Sequence, residues 1–281
     1  MAIWYPGDQL RLLLDSRLIT RVRLQKYSYK IIKCGDYLQV YYYKNPRERQ
    51  NVEKLDFDNL SKKSRGISEN KSIEDRNIIR TKLNCQRLAK SNAKDWKSFI
   101  TLTYAENMQD VSKSKKDLEY FVKNIKKVKK DFKYIAIPEF QKRGAIHFHL
   151  LTNLSLQDNN IITKQKDNDK YYDVKYWNKG FTSYEDMTGD VKKIVGYISK
   201  YMTKEDADDR LFNFKRYTAS QNLIKPVTEF ISMKDKTSRN WFINQFKDKE
   251  CIYNNSYIDQ FNNKVEFMEL LKVNIIYIIR I

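Results

Sequence analysis

Residues 133–151 read Lys-Tyr-Ile-Ala-Ile-Pro-Glu-Phe-Gln-Lys-Arg-Gly-Ala-Ile-His-Phe-His-Leu-Leu, and the fold follows from how this stretch is read. Two runs rich in Ile, Phe and Tyr are joined by Gln141-Lys142-Arg143-Gly144, the pattern of a β-hairpin. A three-residue loop with Gly144 in the left-handed conformation pairs Gln141 with Ala145, and two steps back Glu139 with His147. Opposed residues share a face and side chains alternate along a strand. Glu139, His147 and His149 therefore fall on one face, with Phe148 on the other. Two imidazoles and a carboxylate on a rigid ribbon make a three-ligand metal site with open positions, as a metal acting on a substrate requires. The plainer reading, that histidines on apolar strands are satisfied core residues, stands beside it. Against the plainer reading, these are the chain's 2 histidines and they sit two apart. A carboxylate is brought alongside them, and the adjoining loop is basic, which suits a phosphate-bearing substrate.

Composition narrows the partner. The chain of 281 residues carries 54 Lys+Arg against 35 Asp+Glu, a formal net charge of +19, and an excess of that size favours a polyanion. The 20 Tyr, 14 Phe and 4 Trp set among those cations suit stacking on unpaired bases. No long amphipathic basic helix argues for a membrane surface. Cys34, Cys85 and Cys251 are far apart and odd in number, which fits neither a disulfide framework nor a zinc ribbon. Leu10–Leu14 is too short and too closely bracketed by charge for a signal peptide, and Val273–Ile281 is too short to span a bilayer. The expectation is a soluble protein of a reducing cytoplasm.

Along the chain, Thr20–Tyr43 is β-rich, and Asn45–Asn70 is polar, as a linker or exposed loop would be. A helix capped by Ser72 carries Ile73, Ile78, Ile79, Leu83 and Leu88 on a stripe. Phe99–Tyr104 is β-prone, and Lys113–Asp131 is helical with Leu118, Phe121, Val122, Ile125 and Val128 on one side. After the hairpin, Ser155–Lys170 reads as a polar connection and Tyr171–Thr182 as a strand region. Hairpin strands with helices between them predict an α+β fold on an antiparallel sheet. The predicted division is 1–70, a β-rich extension and linker; 71–230, the catalytic domain; and 231–281, a C-terminal extension. No Gly-x-x-x-x-Gly-Lys-Ser/Thr loop is present, so no nucleotide-driven motor is encoded in it.

Asp190–Lys204 is the most amphipathic stretch: Val191, Ile194, Val195, Ile198 and Met202 form one stripe. Tyr197 and Tyr201, four apart, stack at its flank, with Lys193, Lys200 and Lys204 further round. Gly196 weakens a helix by about 1 kcal/mol relative to Ala, which suggests the close approach of another backbone. Tyrosines at this spacing are usually packing residues. A phenol with a pKa near ~10 is a poor nucleophile at neutral pH unless cations or a metal-polarised phosphate assist it. Lys200 and Lys204 supply the first, and Glu139, His147 and His149 the second.

Ala-Ile-His-Phe-His-Leu-Leu, with Glu139 eight residues before His147, resembles the metal motif of the HUH endonucleases. Gly-Tyr-Ile-Ser-Lys-Tyr-Met-Thr-Lys (196–204) resembles the paired-tyrosine motif of rolling-circle replication initiators. Phe99–Tyr104 fits the family's first motif strand, and Trp177-Asn-Lys-Gly180 and Arg216–Pro226 are similar to segments of phage and plasmid replication proteins. The resemblance covers roughly residues 75–230. It implies a ferredoxin-like antiparallel sheet, a divalent ion (Mg²⁺ or Mn²⁺) held by Glu139, His147 and His149, and nucleophiles at Tyr197 and Tyr201. Lys200 becomes a phosphate or leaving-group contact, and Lys142, Arg143, Lys204 and Arg216 contact DNA. The implied activity is nicking of a single-stranded or hairpin origin in a bacterial host cell, with a host polymerase and helicase as partners and no membrane. Two alternatives remain open: a transposase or conjugative relaxase with the same chemistry, and a non-catalytic DNA-binding protein with structural histidines.

Overall fold

The computed structural model describes residues 22–52, 71–141, 143–165, 168–187, 196, 215–232, 244, 250–259 and 261–271. The chain divides into two compact units: residues 1–33, 37–69 and 227–281 form one, and residues 34–36 and 70–226 the other.

The first unit is built on a five-stranded antiparallel sheet. Its strands are β1 (Val22–Cys34), β2 (Tyr37–Val52), β10 (Val227–Ile231), β11 (Glu250–Ile258) and β12 (Lys264–Leu271), in the order β10-β1-β2-β12-β11. Gly35, at φ +60°, turns the chain between β1 and β2. The sequence reading set the two ends of the chain apart as separate additions, but strands from both lie side by side here. β2 runs to Val52, so the first part of the expected linker from Asn45 is strand. Tyr29, Ile31, Leu38, Val40 and Leu270 form one buried cluster, and Tyr27, Tyr43 and Val265 another.

The second unit holds α1 (Lys71–Ser91), β3 (Ser98–Thr103), α2 (Val111–Val128), β4 (Tyr134–Phe140), β5 (Ile146–Thr152), β6 (Ile162–Gln165), β7 (Asn168–Val174), β8 (Thr182–Asp186) and β9 (Thr218–Ala219). Its sheet runs β8-β3-β5-β4-β9, antiparallel throughout. The four strands β8-β3-β5-β4 follow the order of a ferredoxin-like sheet, so the fold is α+β as expected. The β6–β7 hairpin stands between β5 and β8 in the chain, where that fold carries its second crossover helix. It also replaces much of the polar connection expected over Ser155–Lys170.

Both faces of the central strand β5 are covered, and all seven of its residues are buried. On one face Ile100, Leu102, Phe148 and Leu150 meet Leu118, Phe121, Val122 and Ile125 of α2. Each such side chain contributes about 1.5–3 kcal/mol on burial. The stripe on α2 was readable because its apolar residues recur at helical spacing. Asp110 caps α2, its side chain accepting from the Lys113 N–H. On the other face Phe99, Ile135 and Leu151 pack with Cys85 and Ala89 of α1 and with Trp96. No helix among the described residues is long and apolar enough to cross a membrane, and Cys34, Cys85 and Cys251 are free thiols.

Candidate active site

The hairpin forms with the expected register: Glu139 lies opposite His147, and Gln141 and Ala145 close the loop through a 2.8 Å bond from N–H to carbonyl. Gly144 adopts φ +94°, a conformation that costs any residue with a Cβ. β5 is hydrogen-bonded to β3 on one side and β4 on the other, so the α1 face of the sheet reads in rows. Phe99, Leu151 and Ile135 form one row; Thr101, His149 and Ile137 the next; Thr103, His147 and Glu139 the last. The surface changes from an apolar core under α1 to a polar patch near the hairpin tip, and the three expected ligands lie in that patch.

His149 is fixed from three sides. Its ring stacks on Phe99 at 5.7 Å, its Nε2 lies 2.5 Å from Glu139 Oε2, and its Nδ1 lies 3.2 Å from Thr101 Oγ1. An ionised carboxylate only accepts, so Nε2 carries the proton and, in the neutral ring, Nδ1 accepts from the Thr101 hydroxyl. A hydroxyl both donates and accepts. Thr101 can therefore take the Nδ1 proton instead, freeing the Nε2 lone pair. His147 differs. Its Nε2 is buried with no hydrogen-bond partner, a state that costs about 1–3 kcal/mol. Burial pushes its pKa down to about 4, helped by His149 and Arg143 and opposed by Glu139, so the ring is neutral at pH 7.

Among the described residues, no group of three His, Cys, Asp or Glu is gathered so as to hold a metal ion as placed; Glu139 and His149 bond to each other instead. The donor set nevertheless fits a divalent ion in kind. It offers an orphaned neutral imidazole nitrogen, a second imidazole with an adjustable proton, and a carboxylate that is partly exposed.

Arg143 is exposed at the loop, its Nη2 donating to the Tyr104 carbonyl at 2.7 Å and its Nε to Gln141 Oε1 at 2.8 Å. These bonds anchor a cation beside the histidines. Arg216 is partly buried next to Tyr217, which packs on the Phe99 side of the sheet. Lys142, Tyr197, Lys200, Tyr201 and Lys204 lie outside the described residues. Gly196 is helical and exposed, and a Cβ there would meet nothing within 4 Å, so the close backbone approach expected at this glycine is not found.

Sequence reasoning missed Thr101 and Thr103, which face the histidines. The alternation Thr101-Leu102-Thr103 carried the signal, since it puts both hydroxyls on one face of the strand. The Trp177-Asn-Lys-Gly180 segment takes on a physical role here. Trp177 is buried against Tyr104, Phe121 and Phe148, and its Nε1 donates to the Thr103 carbonyl at 3.0 Å. Gly180 sits so close to β3 that a Cβ would lie 2.3 Å from the Ala105 nitrogen and 2.4 Å from the Thr103 oxygen. This segment clamps the end of β3 that carries Thr103.

Residues 97–206 match the family model of the replication-associated protein ORF2. Neither the curated proteins nor the solved structures yield a match to the chain. The matched stretch begins at β3, includes Glu139, His147 and His149, and extends through Tyr197 and Tyr201. It supports a replication initiator of the Rep type.

Proposed function

We propose that the protein is a metal-dependent, site-specific endonuclease that nicks one strand of a replication origin through a tyrosine and later rejoins it. The observation that carries this reading is the hairpin register, which sets Glu139 opposite His147 and beside His149, with a buried His147 nitrogen left unpaired. The match of the same stretch to a replication-associated family adds to it.

In this reading His147 Nε2, His149 Nε2 and the Glu139 carboxylate hold Mg²⁺ or Mn²⁺, and Thr101 takes the proton that His149 moves to Nδ1. The bound ion would offset negative charge on the scissile phosphate. Arg143, with Lys142, Lys204 and Arg216, holds the backbone of a single-stranded or hairpin origin, while Lys200 contacts the phosphate or leaving oxygen. The phenolic oxygen of Tyr197 or Tyr201 attacks phosphorus in line. The bond from phosphorus to the 3′ oxygen breaks, giving a 5′-phosphotyrosine and a 3′-OH that takes up a proton. One ester replaces another, so no ATP is consumed and the step reverses. The 3′-OH primes a host polymerase working with a helicase in a bacterial cytoplasm, and the second tyrosine accepts the new strand end.

The test is a nicking assay on labelled single-stranded DNA with Mn²⁺ and with EDTA. Metal-dependent cleavage with label retained on the protein is expected, and it should vanish when Tyr197 and Tyr201 are both replaced by Phe. A second reading draws on the 2.5 Å bond between His149 and Glu139: the pair is structural and the protein binds DNA without cutting it. Binding without any metal-dependent nicking would favour that reading.

A further inference from the structure

Among the described residues, β11 is an edge strand of the first unit's sheet, and all nine of its residues, Glu250–Ile258, are exposed. Long exposed edges are normally blunted by lysine, proline or inward charge, because their unpaired N–H and C=O groups template another strand. β11 has none of these devices. It reads Glu-Cys-Ile-Tyr-Asn-Asn-Ser-Tyr-Ile, with one charge, at its first residue. In a chain of net charge +19, where copies repel one another, a strand without a basic residue lets two copies meet edge to edge without opposing cations.

The sequence of the strand also selects its partner. From Ile252 to Ile258 it reads the same in both directions by side-chain class: Ile, Tyr, Asn, Asn, Ser, Tyr, Ile. We propose that β11 pairs antiparallel with β11 of a second copy about a two-fold axis through Asn255, joining two five-stranded sheets into one. An isologous contact requires a patch complementary to itself, and this register supplies one. Asn255 meets its own counterpart, Asn254 meets Ser256 in both directions, and Tyr253 meets Tyr257. Aromatic pairs and amide–hydroxyl pairs opposed across strands are favourable.

The surrounding geometry fits. Tyr253, Asn255 and Tyr257 pair within the sheet with Glu269, Phe267 and Val265 of β12, so they share a face. On that face Tyr41, Phe267 and Tyr253 already form a row, with ring centroids 4.8 and 5.8 Å apart. Tyr257 of a second copy would extend it. The Ser256 N–H now donates to Asn255 Oδ1 at 2.8 Å, so pairing exchanges one hydrogen bond for another. The register shift between Cys251 and Tyr253 bends the strand at Ile252 and confines good pairing to Tyr253–Ile258. An interface of this length belongs with weak contacts, below about 1,200 Å², so association should depend on concentration.

The register makes a sharp test on the full chain, in a Cys251→Ser background, with diamide as oxidant. Asn255→Cys should form a disulfide-linked dimer by itself. Asn254→Cys and Ser256→Cys should each crosslink poorly alone and well when mixed. In sedimentation without oxidant, the parent chain should shift with concentration from 33.8 kDa towards twice that mass. Asn255→Lys, which sets like charges against each other on the axis, should stay monomeric. A parent chain that is monomeric at all concentrations, or an Asn255→Cys variant that does not crosslink, would overturn the proposal and leave β11 open to a strand of another protein. Equal crosslinking by all three cysteine variants would overturn it as well, since it would report random collision.

Discussion

His147 is the residue whose state the structure defines most sharply. Its ring is held neutral because a charge there would be desolvated and would face His149 and Arg143. A folded pKa of about 4 against an ordinary 6.5 means that both states are neutral above pH 6.5. As pH falls from 6.5 towards 4, the unfolded chain takes up a proton that the native ring refuses, so native stability is lost across that window. In EDTA-treated protein the loss should be on the order of 3 kcal/mol. Denaturant melts of His147→Leu should lack that part of the slope; parallel curves for the two proteins would mean the native ring titrates freely. Gly180 gives a second prediction. Alanine there would press its Cβ into the backbone of Thr103 and Ala105, so Gly180→Ala should lower stability by about 3 kcal/mol, the upper part of the usual range for overpacking. Thermal unfolding measures it directly. The histidines and Glu139 were legible because strand alternation is a local rule. The Gly180 contact was not, because it depends on where a distant strand ends.

At the scale of elements, α2 is positioned by a cap and a stripe. Asp110→Ala removes the acceptor for the Lys113 N–H and should cost about 1 kcal/mol, measurable as a lower urea midpoint with an unchanged slope. The β4–β5 hairpin was readable because Gly144 and the apolar runs on either side specify one register. The end of β2 was not readable. Lys44, Asn45, Pro46, Glu48 and Arg49 are all exposed, so the usual apolar–polar alternation is missing. What extends the strand is remote: Asn263 bonds Asn45 through both its amide oxygen and its nitrogen. β11 hid for the same reason, since a strand exposed on both faces carries no periodic signal.

At the scale of the molecule, the second unit has its own cores, formed by residues between Cys85 and Leu223. A fragment of residues 70–226 should therefore unfold cooperatively, and a broad non-cooperative melt would show that its sheet depends on the rest of the chain. That both ends of the chain share a sheet was not legible, because strand pairing across more than 200 residues leaves no local trace.

That shared sheet bears on how the protein is made. β12 lies between β2 and β11, and its last residue, Leu271, emerges from the ribosome 45 residues after Pro226. At about 5–20 residues per second, the unit carrying the histidines has seconds to fold while β2 still lacks a neighbour. A translation product stopped before β12 should thus keep its histidine ribbon folded and present β2 as a sticky edge, so that premature termination yields aggregates of molecules with an intact site.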